Sequence, residues 1–353
     1  MVGEFDLIAR IRSRVRSRAD VLLGVGDDAA LLCVPPDHDL VVSTDTLNVD
    51  VHFPHDTAPA DIGWKALAVN LSDLAAMGAT PAWCTLALSL PAADTDWLDA
   101  FLDGFCALAD ILDVALVGGD TTRGTLSITV TAHGLVPHGA ALRRDGAKVG
   151  DEIWVSGTLG DAAAGLALLC PSPIGRGVGV RSRTTRGIAM SPPHLNPLPM
   201  GEEAMQLFSR LNRPTPRIAL GIALRRVANA CIDVSDGLAA DLGHVLDASS
   251  VGAELELAAL PMSDALRAFD PATCERFQLS GGDDYELCFT APAMHVEHVH
   301  AAATAAGTSI TRIGCIQRDS GLRLRSVDGT LHAVEPSGYE HFSHGTASGD
   351  SSQ

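Results

Sequence analysis

The aspartates of this chain recur in short motifs rich in glycine, serine and threonine, most of which directly follow an apolar run. Open α/β folds place ligands at strand ends, where glycine lets the backbone come close to a phosphate and a hydroxyl adds a donor. The six motifs occupy residues 24–28, 43–46, 70–73, 118–122, 233–237 and 281–284. The pattern therefore predicts a fold that brings single aspartates from many segments to one site.

Strand and helix patterns alternate in both halves of the chain, which predicts an α/β or α+β fold class. Predicted helices occupy residues 59–77, 95–112, 161–169, 216–228, 238–248 and 292–306. Predicted strands occupy residues 40–44, 114–117, 126–136, 152–156, 230–234, 253–257, 285–290, 309–316 and 321–327. A polar stretch at 143–151 places a boundary near residue 150, and the length is sufficient for two domains. We expect an N-terminal domain at 1–150 and a C-terminal domain at 151–342.

Three segments differ from the rest in composition. Residues 171–200 contain four arginines, many glycines and prolines and no acid, and this composition cannot bury enough apolar surface to fold. It predicts a disordered insertion, with an arginine-rich partner-binding loop as the alternative. Residues 343–353 are predicted to be a disordered tail. The arginines at 10–18 accompany apolar residues at helical spacing, which indicates the solvated face of a first helix rather than a nucleic-acid or transit segment.

The net charge of −18 limits the partners of this chain. An acidic surface repels phosphate backbones, which argues against a nucleic-acid binder that depends on the protein's own cations. No apolar run reaches the ~18 residues that span a bilayer, and the first residues lack the apolar core of a signal peptide. The eight cysteines are scattered without a C-x-x-C pair, which indicates buried, reduced thiols. We therefore expect a cytoplasmic protein with no membrane or nucleic-acid partner.

Familiar catalytic motifs are absent from the sequence. The chain has two lysines, Lys65 and Lys148, and neither follows the glycine-rich pattern of a P-loop. The protein-kinase motif set, the serine nucleophile elbow, the H-E-x-x-H zinc motif and the calcium loop are also missing. The histidines at 295, 298 and 300 have no fourth ligand near in sequence, so they are interpreted as solvated rather than as zinc ligands.

Mg²⁺ accounts for the repetition of single aspartates. This ion takes one or two carboxylates, keeps several waters and obtains further ligands from substrate phosphates. Asp73 falls inside the predicted helix 59–77 and projects from one face of it, whereas the other five candidates are predicted to be loop residues. The motifs thus predict a site for a Mg²⁺–polyphosphate complex, and a non-enzymatic divalent-cation binder remains the alternative.

At these residues the chain resembles the bacterial thiamine-monophosphate kinases, in the superfamily of aminoimidazole ribonucleotide synthetase. The similarity extends from residue 3 to residue 342, and its most characteristic stretches are residues 26–30, 43–46, 65–78, 118–124, 232–238 and 284–287. It implies a two-domain α/β protein whose N-terminal domains pair into a β-barrel in a homodimer, with the nucleotide near that interface. It also implies that ATP and thiamine monophosphate react to give ADP and thiamine diphosphate, the last step of thiamine diphosphate biosynthesis, with several Mg²⁺ ions.

The resemblance also implies roles for individual residues. Mg²⁺ would be held by Asp28, Thr44, Asp45, Asp73, Asp120 and Asp233, assisted by Ser43 and Asp236. ATP would be contacted by Gly119, Asp120, Arg144 and Ser235. Thiamine monophosphate would be contacted by His52, Asp283 and Tyr339. The family usually has glutamate in place of Asp283, and the segment 171–200 is not typical of it.

The implied reaction needs positioning and charge neutralisation more than an acid or a base. The acceptor is a phosphate monoester with a second pKa of ~6, so it is already largely a dianion at neutral pH. Asp73, Asp120 and Arg144 would act electrostatically, and Tyr339 would pack on the cationic thiazolium ring.

Two other members of the superfamily are weaker alternatives. Selenophosphate synthetase would need a reactive cysteine near the N-terminus, whereas the first cysteine here is Cys33, within an apolar run. The hydrogenase-maturation relative would need a C-terminal cysteine, and this sequence ends at Gln353.

Overall fold

The N-terminal part of the chain forms a four-stranded sheet with two helices packed on it. The computed structural model describes residues 3–169, 201–334 and 338. The elements in this part are α1 Glu4–Arg14, β1 Val21–Leu23, β2 Leu31–Leu32, β3 His38–Asn48, α2 Pro59–Ala76, β4 Thr80–Leu90, α3 Thr95–Ile111, β5 Ala115–Arg123 and β6 Ser127–Pro137. The strand order is β3-β6-β4-β5, in which β4 and β5 are parallel and the other pairs antiparallel, and β1 and β2 form a separate ribbon.

The C-terminal part forms a seven-stranded sheet. Its elements are β7 Asp151–Ser156, α4 Asp161–Leu169, α5 Glu202–Asn212, α6 Ile218–Ala223, β8 Ala230–Val234, α7 Leu238–Ser249, β9 Gly252–Glu256, α8 Pro271–Ser280, β10 Glu286–Pro292, α9 Val296–Ala306, β11 Ile310–Gln317, β12 Gly321–Arg325 and β13 Leu331–Val334. The strand order is β13-β12-β9-β11-β7-β10-β8, and short 3₁₀ turns lie at Leu257–Ala259, Leu266–Ala268 and Ala293–His295. The mixed sheets confirm the predicted α/β class.

Helix α2 joins the two sheets. Proline occupies its first turn, where the missing N–H costs nothing, and it ends before Gly78, whose φ of +63° suits glycine. It packs against α3, β3 and β6 in the N-terminal part and against α6, β8 and β10 in the C-terminal part. Its Leu67 and Leu71 belong to the same apolar core as Leu287 and Phe289 of β10. The two parts therefore share one core, and α2 runs through it.

Strand β3 presents different side chains to its two faces, as the period of two requires. Ser43 and Asp45 are half-buried, and Ser43 bonds to α2, so this face is directed inward. Val42, Thr44 and Thr46 alternate with them and are exposed. The outer face of the four-stranded sheet is thus left uncovered along β3.

The predicted first helix is confirmed as α1, but it ends at Arg14, so Arg16 and Arg18 lie beyond it. The Arg18 side chain is only 22% exposed and pairs with Asp20, so it is not part of a solvated helix face. Three arginines of this segment form ion pairs with acids of α3, namely Arg10 with Asp99, Arg14 with Asp103 and Arg16 with Asp110. Exposed pairs of this kind contribute at most about 1 kcal/mol each. The pairs therefore orient α1 against α3 more than they stabilise the fold.

The prediction that the site aspartates other than Asp73 lie in loops is wrong at three positions. Asp45 lies inside β3, Asp120 inside β5 and Asp233 inside β8. The strands continue past their apolar runs because neighbouring strands still supply backbone hydrogen bonds there. At Gly119 a side chain would overlap the carbonyl oxygen of Leu86 on β4, so glycine here permits close strand packing rather than a turn.

Several element predictions also differ from the structure. The predicted elements do not include β4, α5 or α8, and the predicted helix 216–228 is reduced to α6 followed by turns. The predicted insertion at 171–200 and the predicted tail at 343–353 lie outside the described residues. None of the helices in the described ranges is long and apolar enough to cross a membrane.

The histidine and cysteine predictions need two corrections. His295 Nδ1 lies 3.1 Å from the carbonyl oxygen of Val227, and the His300 ring packs edge-on against Trp154, so these side chains are not simply solvated. Cys33 is exposed rather than buried because it follows the short β2 at the surface, whereas Cys84 is buried as expected.

Candidate active site

The C-terminal half of α2 carries polar side chains that reach β3. Asn70 Oδ1 accepts the backbone N–H of Asp45 at 3.0 Å. One turn later, Asp73 Oδ2 accepts a hydrogen bond from the hydroxyl of Ser43. Residues three apart lie on the same side of a helix, so both contacts are made with the same strand. The prediction that Asp73 projects from a helix face is confirmed.

The neighbouring residue on α2 reaches the other sheet. Ser72 is buried, and its hydroxyl donates to Asp233 Oδ2 on β8 at 2.8 Å. A single turn of α2 therefore brings carboxylates from three elements into one group, which we call the acidic cluster: Asp45, Asp73 and Asp233. Sequence reasoning missed Asn70 and Ser72, although both belong to the motif at 70–73.

The carboxyls of the acidic cluster have raised pKa values. Burial, reinforced by the charges of Asp73 and Asp236, raises the pKa of Asp45 to about 7. Burial also raises the pKa of Asp73, although hydrogen bonds and the charge of Arg144 oppose the shift. The pKa of Asp233 lies well above its usual range, first because of burial and then because of Asp73. Burial therefore penalises the ionised form of all three carboxyls.

This donor set suits a divalent cation that binds together with a substrate. Within residues 3–169, 201–334 and 338, no three His, Cys, Asp or Glu side chains converge closely enough to hold a metal ion. Mg²⁺ typically takes only one or two carboxylates and completes its shell with water and substrate phosphate oxygens. Buried, mutually repelling carboxylates of the acidic cluster fit such an ion, because its charge would relieve their repulsion.

The loop after β8 is held in place by a buried carboxylate. Asp241 Oδ2 accepts the backbone N–H groups of Ser235, Asp236 and Gly237 at 2.9, 3.0 and 3.1 Å. Burial, with the charge of Asp236 as a further cause, raises the pKa of Asp241 to about 7. Sequence reasoning missed Asp241, although an acid in the first turn of a helix after a glycine is a recognisable capping pattern. Its bonds fix the backbone of Ser235 and Asp236.

A second polar group, the lysine cluster, lies two turns earlier on α2 and consists of His52, Lys65, Asp283 and Tyr285. Lys65 Nζ donates to Asp283 Oδ2 at 3.0 Å and to the carbonyl oxygen of His52 at 3.2 Å. Tyr285 donates its hydroxyl to Asp283 Oδ1 at 3.0 Å. The structure thus brings together His52 and Asp283, two of the predicted acceptor contacts. Sequence reasoning missed Lys65, and a lysine in the middle of an apolar helical pattern could have indicated it.

The chain enters a buried charge network directly after Asp283. Glu286 is fully buried and accepts hydrogen bonds from Arg210 at 2.7 Å and from Arg217 Nε at 2.6 Å. Asp284 is also buried and accepts the backbone N–H of Gly160 at 2.7 Å. Asp283 and Tyr285 have φ angles of 69° and 50°, a left-handed backbone conformation that is uncommon for residues other than glycine. The network holds Asp284 and Glu286 in place, and these two residues adjoin Asp283 and Tyr285, whose backbone has this uncommon conformation.

Other predicted site residues lie on the outer face of the four-stranded sheet. Thr44 Oγ1 donates to Thr131 Oγ1 at 3.0 Å on this face, so its side chain points away from the acidic cluster. Asp120 is exposed and lies directly opposite Ala87 of β4. The same row of residues continues across the sheet to Thr46 of β3, so Asp120 and Thr46 lie on the same face. Three strand spacings, about 14 Å, separate β5 from β3. Within one chain, the structure does not bring Asp120 or the Thr44 hydroxyl into the acidic cluster.

The remaining predicted residues are more peripheral. Asp28 lies in an exposed turn, where its N–H donates to Asp27 Oδ1 at 2.8 Å. Arg144 is exposed, yet its charge acts on Asp73 and Asp233. Tyr339 lies outside the described residues.

Comparison with known families gives matches along most of the chain. The sequence model described as AIR synthase related protein, N-terminal domain, matches residues 26–136, and the corresponding C-terminal domain matches residues 148–326. The thiamine-monophosphate kinase of Salmonella typhimurium is 49% identical over 345 residues, which cover 96% of this chain and 98% of the relative.

Solved structures resemble the whole chain as well. The crystal structure of thiamine-monophosphate kinase from Stenotrophomonas maltophilia shares 52% identity with a TM-score of 0.80, over 93% of this chain and 97% of that one. A structure described as AaThiL complexed with AMPPCP and TMP shares 31% identity with a TM-score of 0.69, over 96% of this chain and 97% of that one. The resemblance inferred from the aspartate motifs is thus confirmed, and the chain belongs to the thiamine-monophosphate kinase family, with the two-domain fold of the AIR synthase related proteins.

Proposed function

We propose that this chain transfers the γ-phosphoryl group of ATP to thiamine monophosphate and releases ADP and thiamine diphosphate, the last step of thiamine diphosphate biosynthesis. The relatives with up to 49% identity are named thiamine-monophosphate kinases, and a related structure holds AMPPCP and TMP. The observation that carries the proposal is the pair of clusters on α2. The acidic cluster suits a metal–nucleotide complex, and the lysine cluster contains two of the predicted acceptor contacts.

The metal and nucleotide are assigned to the acidic cluster and to residues near it. The proposed Mg²⁺ ligands are Asp28, Ser43, Thr44, Asp45, Asp73, Asp120, Asp233 and Asp236. The proposed ATP contacts are Gly119, Asp120, Arg144 and Ser235. Several Mg²⁺ ions, when bound, would neutralise the phosphate oxygens of the two anionic substrates. The raised pKa values of Asp45, Asp73 and Asp233 support this assignment, because burial, the largest cause of each shift, penalises the ionised carboxyl and a bound cation would offset that penalty.

The protein's own part in the reaction is to bind, orient and compensate charge. The acceptor phosphate is largely a dianion at neutral pH, so it can attack without a residue that removes a proton. Ser43 and Ser72 fix the carboxylates of Asp73 and Asp233 by hydrogen bonds. The guanidinium of Arg144 would stabilise negative charge on the transferring group. His52 and Asp283, with Tyr339, would hold the acceptor.

The function is tested by measuring ADP release from Mg·ATP with and without thiamine monophosphate. We expect the acceptor to stimulate ADP formation and thiamine diphosphate to appear in equal amount. A protein that forms no thiamine diphosphate and takes up Mg²⁺ equally well without nucleotide would instead be a divalent-cation binder. Calorimetric titration of Mg²⁺ in the presence and absence of a non-hydrolysable ATP analogue separates these outcomes.

A homodimer through the outer face of the four-stranded sheet forms part of the proposal. Leu40 and Val42 of β3 are 46% and 53% exposed, and Leu22 and Leu31 of the neighbouring ribbon are 64% and 57% exposed. Leu40 and Val42 lie on the same exposed face of β3, and exposed apolar side chains of this kind are typical of a protein–protein interface. The resemblance implies that the N-terminal domains of two chains pair into a β-barrel, and this face is the one that would be covered.

Val42→Asp is expected to convert the dimer into a monomer, because each copy would place a carboxylate in an apolar interface. Light scattering coupled to gel filtration should show the mass falling to that of one chain, 36.7 kDa. Val327→Asp is the matched control, because Val327 is 82% exposed in the C-terminal part. A wild-type protein that is already monomeric, or a Val42→Asp variant that stays dimeric, would contradict this interface.

A cytoplasmic location is also proposed. The seven cysteines in the described ranges are all free thiols. Unpaired thiols are typical of a reducing compartment.

A further inference from the structure

Lys65 is more deeply buried than an ordinary lysine. Its side chain is 3% exposed, although lysine is almost never fully buried unless it is paired. Burial of an ammonium group is costly, and a paired carboxylate with further hydrogen bonds offsets that cost. Here the carboxylate is Asp283, at 3.0 Å, and the further acceptor is the carbonyl oxygen of His52, at 3.2 Å.

The three residues come from distant parts of the chain. Lys65 lies on α2, and His52 lies in the loop between β3 and α2. Asp283 lies 218 residues beyond Lys65, in the loop before β10 of the other sheet. The ammonium group is therefore a direct link between a loop of the N-terminal part and a loop of the C-terminal part.

The link fixes the orientation of the Asp283 carboxylate. Lys65 occupies Oδ2 of this carboxylate, and the Tyr285 hydroxyl occupies Oδ1. A carboxylate that is held at both oxygens cannot rotate, but each oxygen retains a lone pair for a further donor. The backbone of both Asp283 and Tyr285 has a positive φ angle, which is an uncommon conformation for residues other than glycine.

We infer that Lys65 is a positioning residue for the acceptor substrate, which ties the Asp283 carboxylate to the His52 loop and so holds two acceptor contacts from opposite parts of the chain at a fixed separation. The inference rests on the proposed function, in which His52 and Asp283 contact thiamine monophosphate. Lys65 has no hydrogen bond or ion pair with a proposed ATP contact among the residues that the structure describes. Its loss should therefore affect the acceptor and spare ATP.

The first test compares Lys65→Met with Lys148→Met. Lys148 is the chain's other lysine, and it is exposed. We expect Lys65→Met to raise KM for thiamine monophosphate by at least about tenfold, since small misplacements of positioning groups have effects of this size. KM for ATP should change by less than about twofold, and Lys148→Met should leave both values unchanged. Equal increases in the two KM values, or no increase for the acceptor, would overturn the inference.

The second test removes both charges of the pair, so that neither ion is left unpaired in the double variant. If Lys65 acts through Asp283, the double variant Lys65→Met, Asp283→Asn should have an acceptor KM within about threefold of that of Asp283→Asn alone. A further rise of tenfold or more would show that Lys65 acts independently of Asp283 and would overturn the inference. Wild-type protein that forms no thiamine diphosphate would refute the proposed function itself, a result distinguishable from any of these.

Discussion

Asp73→Asn is expected to lower kcat by about 10³-fold, because it removes the central negative charge of the acidic cluster from the proposed metal site. The same variant should be at least as stable as wild type in the absence of Mg²⁺ and nucleotide. A carboxyl whose pKa is raised by folding destabilises the folded state once the pH exceeds its unfolded pKa, and the pKa of Asp73 is raised. Asparagine keeps the side-chain volume and still accepts the Ser43 hydroxyl. Turnover and thermal unfolding of the same preparation measure the two effects.

The control for this variant is Asp247→Asn, which makes the same chemical change at an exposed position of α7. It should leave both kcat and the unfolding midpoint unchanged. A folded Asp73→Asn protein with near-normal turnover would remove Asp73 from the metal assignment. A lower unfolding midpoint together with the loss of turnover would show that Asp73 has a structural role instead.

Glu286→Gln is expected to destabilise the fold by about 3–5 kcal/mol, because it leaves two partly buried guanidinium groups without their shared, fully buried carboxylate. Arg210 and Arg217 both donate to Glu286, and Ser156 donates to it at 2.5 Å. The thermal midpoint should fall by roughly 4–7 °C, since an unfolding entropy of about 2.1 cal/mol/K per residue makes each kcal/mol equivalent to about 1.3 °C in a chain of 353 residues. Differential scanning calorimetry in the absence of substrates measures the change.

Glu297→Gln is the matched control for Glu286→Gln, because Glu297 is exposed in the first turn of α9. Its midpoint should match wild type. If Glu286→Gln also unfolded within about 2 °C of wild type, the network would contribute little to stability, as exposed pairs do. The role of the network would then be limited to maintaining the backbone conformation of Asp283.

The sequence was sufficient for the family, the mixed class of the fold and the placement of Asp73. These depend on local patterns: an apolar helix with one polar face, and short motifs whose residues are adjacent in sequence. The start of α8, which was not predicted, also has a recognisable local pattern, since Asp270 caps the helix and Pro271 follows it. Strand ends were harder, because Asp45 and Asp120 look like turn residues but remain paired to neighbouring strands.

The contacts within the site could not be predicted, because they join residues far apart in the chain. Lys65 and Asp283 are separated by 218 residues, and Ser72 and Asp233 by 161. Neither partner of such a pair carries a local pattern that identifies the other. The sequence also did not indicate which face of each strand is exposed, since the exposure of Thr44 and Asp120 depends on which sheet face α2 covers. The roles of individual residues in metal, ATP and acceptor binding therefore stay predictions.

The position of α2 limits how this chain can vary in length. Lys65 and Asp73 lie eight residues apart on one helix, so the two clusters are set about 12 Å apart along its axis. Each inserted residue would shift one end by about 1.5 Å and rotate it by about 100° relative to the other. One insertion would turn either Lys65 away from Asp283 or Asp73 away from Ser43. Surface loops can gain or lose residues without this effect, but the interval between the two clusters has only one workable length.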